Sequence, residues 1–241
     1  MIRCDVGPAR VWFTDRHGGV STGAYSSNDL ADHVGDDPAS VRENRLRLAA
    51  GLAAEEPSVP RDPTAWVWLR QVHGVDVTTA GPALSPPEAD ASVTGESGRP
   101  LVVLTADCAP IAIANDTALG VVHAGWLGLE GGVIDAAVRT LRATGSGPVH
   151  AVLGPCIQPA RYEFGADLLA RLTARLGSDV ASRTERGAPA LDIPTAVRRS
   201  CERVGVDRFD DVDLCTAASP DHFSFRRDGV TGRQAVVAVL P

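Results

Sequence analysis

The run LVVLTADCAPIAIANDTALGVVHAGW, residues 101–126, decides how the chain is to be read. LVVLTA, IAIAN and GVV read as three short strands, with the turn-rich NDTALG between the last two. Asp107 and Cys108 follow the first strand, and His123 follows the third. A thiol and an imidazole therefore stand where apolar runs stop.

Working outward from this core, GWLGLEGG reads as a sharp turn into a helix whose face carries Val133, Ile134, Ala137, Val138 and Leu141. VHAVLG is a strand and PCIQP a turn. DLLARLTARLG is a helix closed by Gly177, and Asp192-Ile-Pro caps another that ends at Gly205. QAVVAVL supplies a last strand. Upstream, Asp36-Asp37-Pro38 opens a helix running to about Gly51, with Val41, Arg45, Leu48 and Leu52 on one side. WVWLRQVHGVDVTTA reads as a strand pair or one bent strand, and LSPPEADASVTGESGRP as a long loop suited to an active-site rim. Strands and helices are mixed without strict alternation. The expectation is an α+β fold, a sandwich and not a doubly wound sheet, in one domain over residues 1–241.

Bulk properties exclude several classes. A formal charge of −7, without basic runs interleaved with aromatics, argues against nucleic-acid binding. No apolar stretch is long enough to span a bilayer. The five cysteines are scattered with no CxxC pair, and MIRCDVGPARVWFTD carries no export signal, so a reducing cytoplasm is expected.

Three side chains share a strand-end position: His73 in QVHG, Cys108 in TADCAP and His123 in VVHAGW. Two imidazoles and a thiolate suit zinc and leave a fourth position open for water or substrate. The spacing matches no short zinc motif, so the spacing alone favours ordinary strand-end residues over a metal site. Asp107 can join the site only if the strand breaks there, as Pro110 suggests; otherwise its carboxylate ties down a loop. Trp126 offers a flat face for a purine ring, or core packing. Arg226 or Arg227 in FSFRRDG can bind an anion, with the other facing away by alternation. Cys156 is a rival nucleophile, and Cys201 reads as packing.

From TDRHGGVS through NDLADHVGDDPASVRENR, QVHG, EADASVT, TADCAP, HAGW, LGPCIQPARYEFG and CTA to FSFRRDGVTGR, the chain resembles the laccase-domain, or multi-copper polyphenol oxidoreductase, family. The resemblance implies purine nucleoside phosphorylase activity with adenosine deaminase activity. It implies metal ligands at His73, Cys108 and His123, and a sandwich of mixed β-sheets flanked by helices, akin to a cysteine-hydrolase toxin domain. Its partners are then a purine nucleoside and phosphate. Catalytic roles are expected for Asp107 and Cys108, and substrate contacts for Trp126 and Arg226. Where the family reads HAGWRG, this chain has Leu127, so an arginine that could hold phosphate is lost or replaced elsewhere.

Zinc is the expected metal, with copper as the alternative. A multicopper oxidase needs many imidazoles in His-x-His pairs, and this chain has six histidines and no such pair. A metal-free cysteine hydrolase acting on peptidoglycan precursors is the other alternative, with Cys108 activated by His123.

Overall fold

A computed structural model describes residues 1–79, 81–83 and 85–241. Its strands, in chain order, are β1 (Ile2–Val6), β2 (Ala9–Phe13), β3 (Val77–Thr78), β4 (Ala91–Thr94), β5 (Leu101–Thr105) and β6 (Ala109–Ala114). They continue with β7 (Leu119–Ala124), β8 (His150–Leu153), β9 (Ala181–Arg183), β10 (Pro189–Leu191), β11 (Arg208–Asp211) and β12 (Gln234–Val239). The α-helices are α1 (Pro38–Glu55), α2 (Trp126–Gly131), α3 (Val133–Thr144), α4 (Ala166–Leu176), α5 (Ile193–Arg203) and α6 (Phe225–Asp228).

Two sheets pack face to face. One has the order β1-β2-β12-β5 and the other β11-β8-β6-β7-β4-β3, with β9 and β10 forming a separate hairpin. The larger sheet is mixed: β6 pairs antiparallel with β7 and β8, while β3 with β4 and β11 with β8 are parallel. Side-chain alternation builds the layers. Along β12, Val236 and Ala238 point between the sheets, and Ala235, Val237 and Val239 point toward α1. Along β6, Ala112 and Ala114 face the partner sheet, whereas Ile111 and Ile113 face α3 and α5. Covered on both faces, these strands are continuous apolar runs instead of alternating ones. Each large aliphatic chain so buried contributes roughly 1.5–3 kcal/mol.

The sandwich flanked by helices is the architecture expected, and the helix boundaries are close. The Asp37 carboxylate caps α1 by accepting from the amides of Ala39 and Ser40, and Pro38 occupies the first turn. The helix passes through Gly51 to Glu55, since neighbouring Leu and Ala residues favour it enough to carry one glycine.

Three segments differ from expectation. GWLGLEGG is not a turn but the helix α2, ended by Gly132 in the left-handed region at φ 93°. The presumed loop at 84–100 contains β4, whose four residues are all buried. Of WVWLRQVHGVDVTTA only Val77 and Thr78 form a strand; Val67 and Arg70 make isolated bridges, and Trp66 and Trp68 stack with ring centroids 6.0 Å apart. Ala80 and Leu84, which those readings included, lie outside the described residues.

Candidate metal centre

The register of the larger sheet assembles the site at one end. The β6–β7 hairpin pairs Pro110 with His123 and Ala109 with Ala124, which sets Cys108 beside His123. On the other side of β7, Ala91 pairs with Val122, so Asp90 lies against His123 and its carbonyl accepts the His123 amide at 2.7 Å.

His73 comes from the irregular segment before β3. Gln71 imitates a strand residue there: its amide nitrogen donates to the Leu104 carbonyl at 2.8 Å, and its oxygen accepts the Leu104 amide at 2.7 Å. The next three amides all donate to Asp90, from Val72 at 3.2 Å, His73 at 3.0 Å and Gly74 at 2.6 Å. That turn holds His73 at φ 60°, a conformation non-glycine residues adopt only when their surroundings impose it.

The ligand atoms of His73, Cys108 and His123 lie within 4.8 Å of one another, the only such group among the described residues. Cys108 Sγ is 3.8 Å from His73 Nε2, and the two imidazole rings meet edge to face at 4.8 Å. Ligands about 2.0–2.3 Å from a tetrahedral zinc stand roughly 3.3–3.6 Å apart, so small side-chain adjustments close the set around an ion. Gly125 leaves the space: a Cβ there would come 2.8 Å from His73 Cδ2 and 3.3 Å from Cys108 Sγ.

The electrostatics suit a cation. Burial works against a thiolate at Cys108, but the adjacent His123 charge and hydrogen bonds from both imidazoles outweigh it and draw the thiol down to about 6. Burial likewise disfavours imidazolium at His123, yet Cys108 and Asp90 bring it up to about 9. Asp90 stays below the usual carboxylate range, because its hydrogen bonds to His123 and the backbone amides overcome its own burial. Asp90 Oδ1 lies 2.7 Å from His123 Nδ1, which keeps a proton on Nδ1 and points Nε2 toward the cluster, where a bound cation would displace the Nε2 proton.

The other expected residues divide. Asp107 breaks the chain between β5 and β6 with φ 103°; Pro110 does not, since it sits within β6. Its carboxylate is occupied, accepting from Thr216 Oγ1 and from the Arg226 amide, each at 2.6 Å. Trp126 is half-buried and packs edge-on against Phe164 at 5.7 Å. Arg226 and Arg227 lie on the short helix α6, so strand alternation does not separate them. Arg227 is spent on Asp228 and the carbonyls of Thr216, Ser219 and His222. Arg226 stacks over Tyr162 at 4.7 Å, donates to the Glu163 carbonyl and lines a cleft of about 320 Å³. Cys156 is buried with its thiol pushed well above the ordinary range by that burial, so it is no rival nucleophile. Cys201 is buried in the helix-side core. Sequence reading missed Asp90 and Gly125; the one available signal was an aspartate directly before a buried strand.

A thiol and two imidazoles converging at the end of a mixed β-sandwich define a class of protein with a compact group that could hold one metal ion. Over residues 10–241 the chain matches the family described as multi-copper polyphenol oxidoreductase laccase, and it belongs to that family. A Streptomyces coelicolor protein named purine nucleoside phosphorylase is 41% identical over 240 residues, covering 97% of this chain and 96% of its own. An Escherichia coli K12 protein of the same name is 38% identical over 225 residues, covering 91% and 89%. The crystal structure of a Neisseria meningitidis protein superposes with a TM-score of 0.85 at 33% identity, covering 99% of this chain and 98% of that one. YlmD from Geobacillus stearothermophilus gives 0.85 at 30% identity, covering 96% and 92%.

Proposed function

We propose that the protein is a zinc-dependent purine nucleoside phosphorylase, with adenosine deamination as a second activity of the same centre. The observation that carries this reading is the convergence of His73, Cys108 and His123 within 4.8 Å, in a chain 41% identical to a protein named for that activity. When bound by these three residues, zinc supplies a Lewis acid with an open coordination position.

In phosphorolysis a phosphate oxygen bonds to the anomeric carbon as the carbon–nitrogen bond to the purine breaks, and the base leaves with the bonding electrons and takes up a proton. The residues contribute mainly position and field. Arg226 is the guanidinium offered to phosphate, half of its fork anchored on Glu163 and its face on Tyr162. Trp126 presents the part of its ring not packed on Phe164 to the purine. Asp107 holds the Cys108 loop to the amide of Arg226, so the metal side and the anion side keep a fixed separation. The cytoplasm suits five free thiols.

Incubation with adenosine or inosine, with and without phosphate, tests the proposal. Phosphate-dependent release of base and ribose 1-phosphate is expected, with inosine formed from adenosine when phosphate is withheld. Absence of both base release and inosine would overturn it.

One observation favours a second reading. A Cys108 thiol drawn to about 6 beside His123, 3.8 Å from His73 Nε2, is also the arrangement of a cysteine hydrolase. Amide cleavage of a peptidoglycan precursor by metal-free protein supports that reading over the first. The His₂Cys set also accepts copper, and a visible absorbance tracking copper content would mark it.

A further inference from the structure

We propose that Asp90 is the positioning residue that sets both imidazoles of the site, a role for which the ligand set alone gives no hint. It rests on the proposed zinc reading. Asp90 is fully buried, and its two oxygens divide their work between the ligands. Oδ1 accepts from the His73 amide at 3.0 Å and His123 Nδ1 at 2.7 Å; Oδ2 accepts from the amides of Val72 at 3.2 Å and Gly74 at 2.6 Å. One carboxylate thus fixes the tautomer and ring direction of His123 on β7. It also folds the turn that carries His73, although the two histidines reach it from 33 and 17 residues away.

The arrangement explains why His73 tolerates φ 60°: three consecutive amides converge on one anion, and only that turn presents them together. It also explains how an exposed histidine on an irregular segment is preorganised. The segment is tied at Gln71 to Leu104 and at residues 72–74 to Asp90, leaving the His73 ring as its free part. A carboxylate behind a metal-bound imidazole raises ligand basicity and holds orientation, and removing such a partner commonly weakens metal binding about 10–100-fold. Here one residue stands behind two ligands.

Asp90→Asn is the informative substitution. The amide has one acceptor where the carboxylate has two. Turned toward His123, its NH₂ opposes the amides of Val72 and Gly74; turned the other way, it opposes His123 Nδ1–H. Neither orientation keeps all four hydrogen bonds, so either the turn that carries His73 or the His123 ring loses its support.

The experiment measures zinc affinity by competition with a chromophoric chelator and records the spectrum of the cobalt(II)-loaded protein. It compares wild type, Asp90→Asn and Ile113→Val, a buried variant in β6 that costs stability without touching the site. Asp90→Asn is expected to bind zinc roughly 10–100-fold more weakly and to shift the cobalt ligand-field bands, while Ile113→Val binds as wild type. Zinc affinity of Asp90→Asn within twofold of wild type, with an unchanged cobalt spectrum, overturns the inference. Failure of wild type to bind zinc at all instead overturns the reading on which it rests. Should Asp90→Asn not fold, long-range proton–nitrogen NMR of zinc-loaded wild type decides: a protected proton on His123 Nδ1 is expected, and a bare Nδ1 refutes the role.

Discussion

Gly125→Ala should separate metal binding from folding. Gly125 caps α2 at φ −77° and ψ 170°, a conformation any residue adopts, so the backbone accepts alanine without strain. The new Cβ, however, would stand 2.8 Å from His73 Cδ2 and 3.3 Å from Cys108 Sγ, where ordinary contact begins at 3.4 Å. The His73 ring must retreat by roughly 0.6 Å or more, whereas a metal–ligand distance tolerates only about 0.2 Å. Because His73 is exposed, the ring can swing outward, which relieves the overlap and removes a ligand. Zinc affinity should fall at least ~100-fold, equivalent to about 2.8 kcal/mol. The melting temperature of the metal-free protein should stay within a few degrees of wild type. Chelator competition and thermal melts of the metal-free form measure the two quantities. Wild-type zinc affinity in the variant would refute the placement of His73 as a ligand.

Other parts of the structure give separate expectations. Asp29 is fully buried, its Oδ2 has no hydrogen-bond partner among the described residues, and burial raises its pKa to about 6. A carboxyl that holds its proton more tightly when folded gives stability that is present below about pH 4 and lost as pH rises through about 6, roughly 3 kcal/mol in all. Asp29→Asn should therefore gain on wild type in thermal melts as pH rises from about 4 to about 6 and keep that gain above 6, and a gap independent of pH across this range contradicts the assignment. Asn44 is buried and ties α1 to the first loop, donating to Ser21 Oγ and the Asp29 carbonyl at 2.8 Å each and accepting the Val20 amide at 2.7 Å. Asn44→Ala should cost about 2–4 kcal/mol in denaturant titration while leaving zinc affinity unchanged; a loss below 1 kcal/mol argues against this anchor. Leu127 is 45% exposed on the first turn of α2, so Leu127→Arg should change stability by less than about 0.5 kcal/mol. Steady-state kinetics should then show a lower KM for phosphate, and an unchanged KM means the anion is held without position 127.

The central strands were legible because β5, β6 and β7 are uninterrupted apolar runs closed by turn residues, and a strand covered on both faces is written that way. Their ends located Cys108 and His123; His73 was picked out by the same strand-end reading, although it stands on an irregular segment. The remainder failed for identifiable reasons. Segment 66–78 has the aromatic and β-branched composition of a strand, yet Trp66 and Trp68 stack on each other and Gln71 replaces regular pairing with a side-chain amide. α2 was hidden by its glycines, which serve close packing: a Cβ at Gly131 would meet Val75 at 2.5 Å. Asp90 was invisible because its role depends on residues 17 and 33 positions away, beyond the reach of local periodicity. Asp107 was placed at the right strand break but assigned to Pro110, when its own positive φ makes the turn.

Metal analysis of untagged protein, paired with phosphorolysis of inosine, puts the whole account to the most direct test. One zinc per chain in wild type is expected, with both metal and activity lost in Cys108→Ala. Wild-type protein that cleaves inosine without any bound metal, or Cys108→Ala that keeps its zinc, would contradict it.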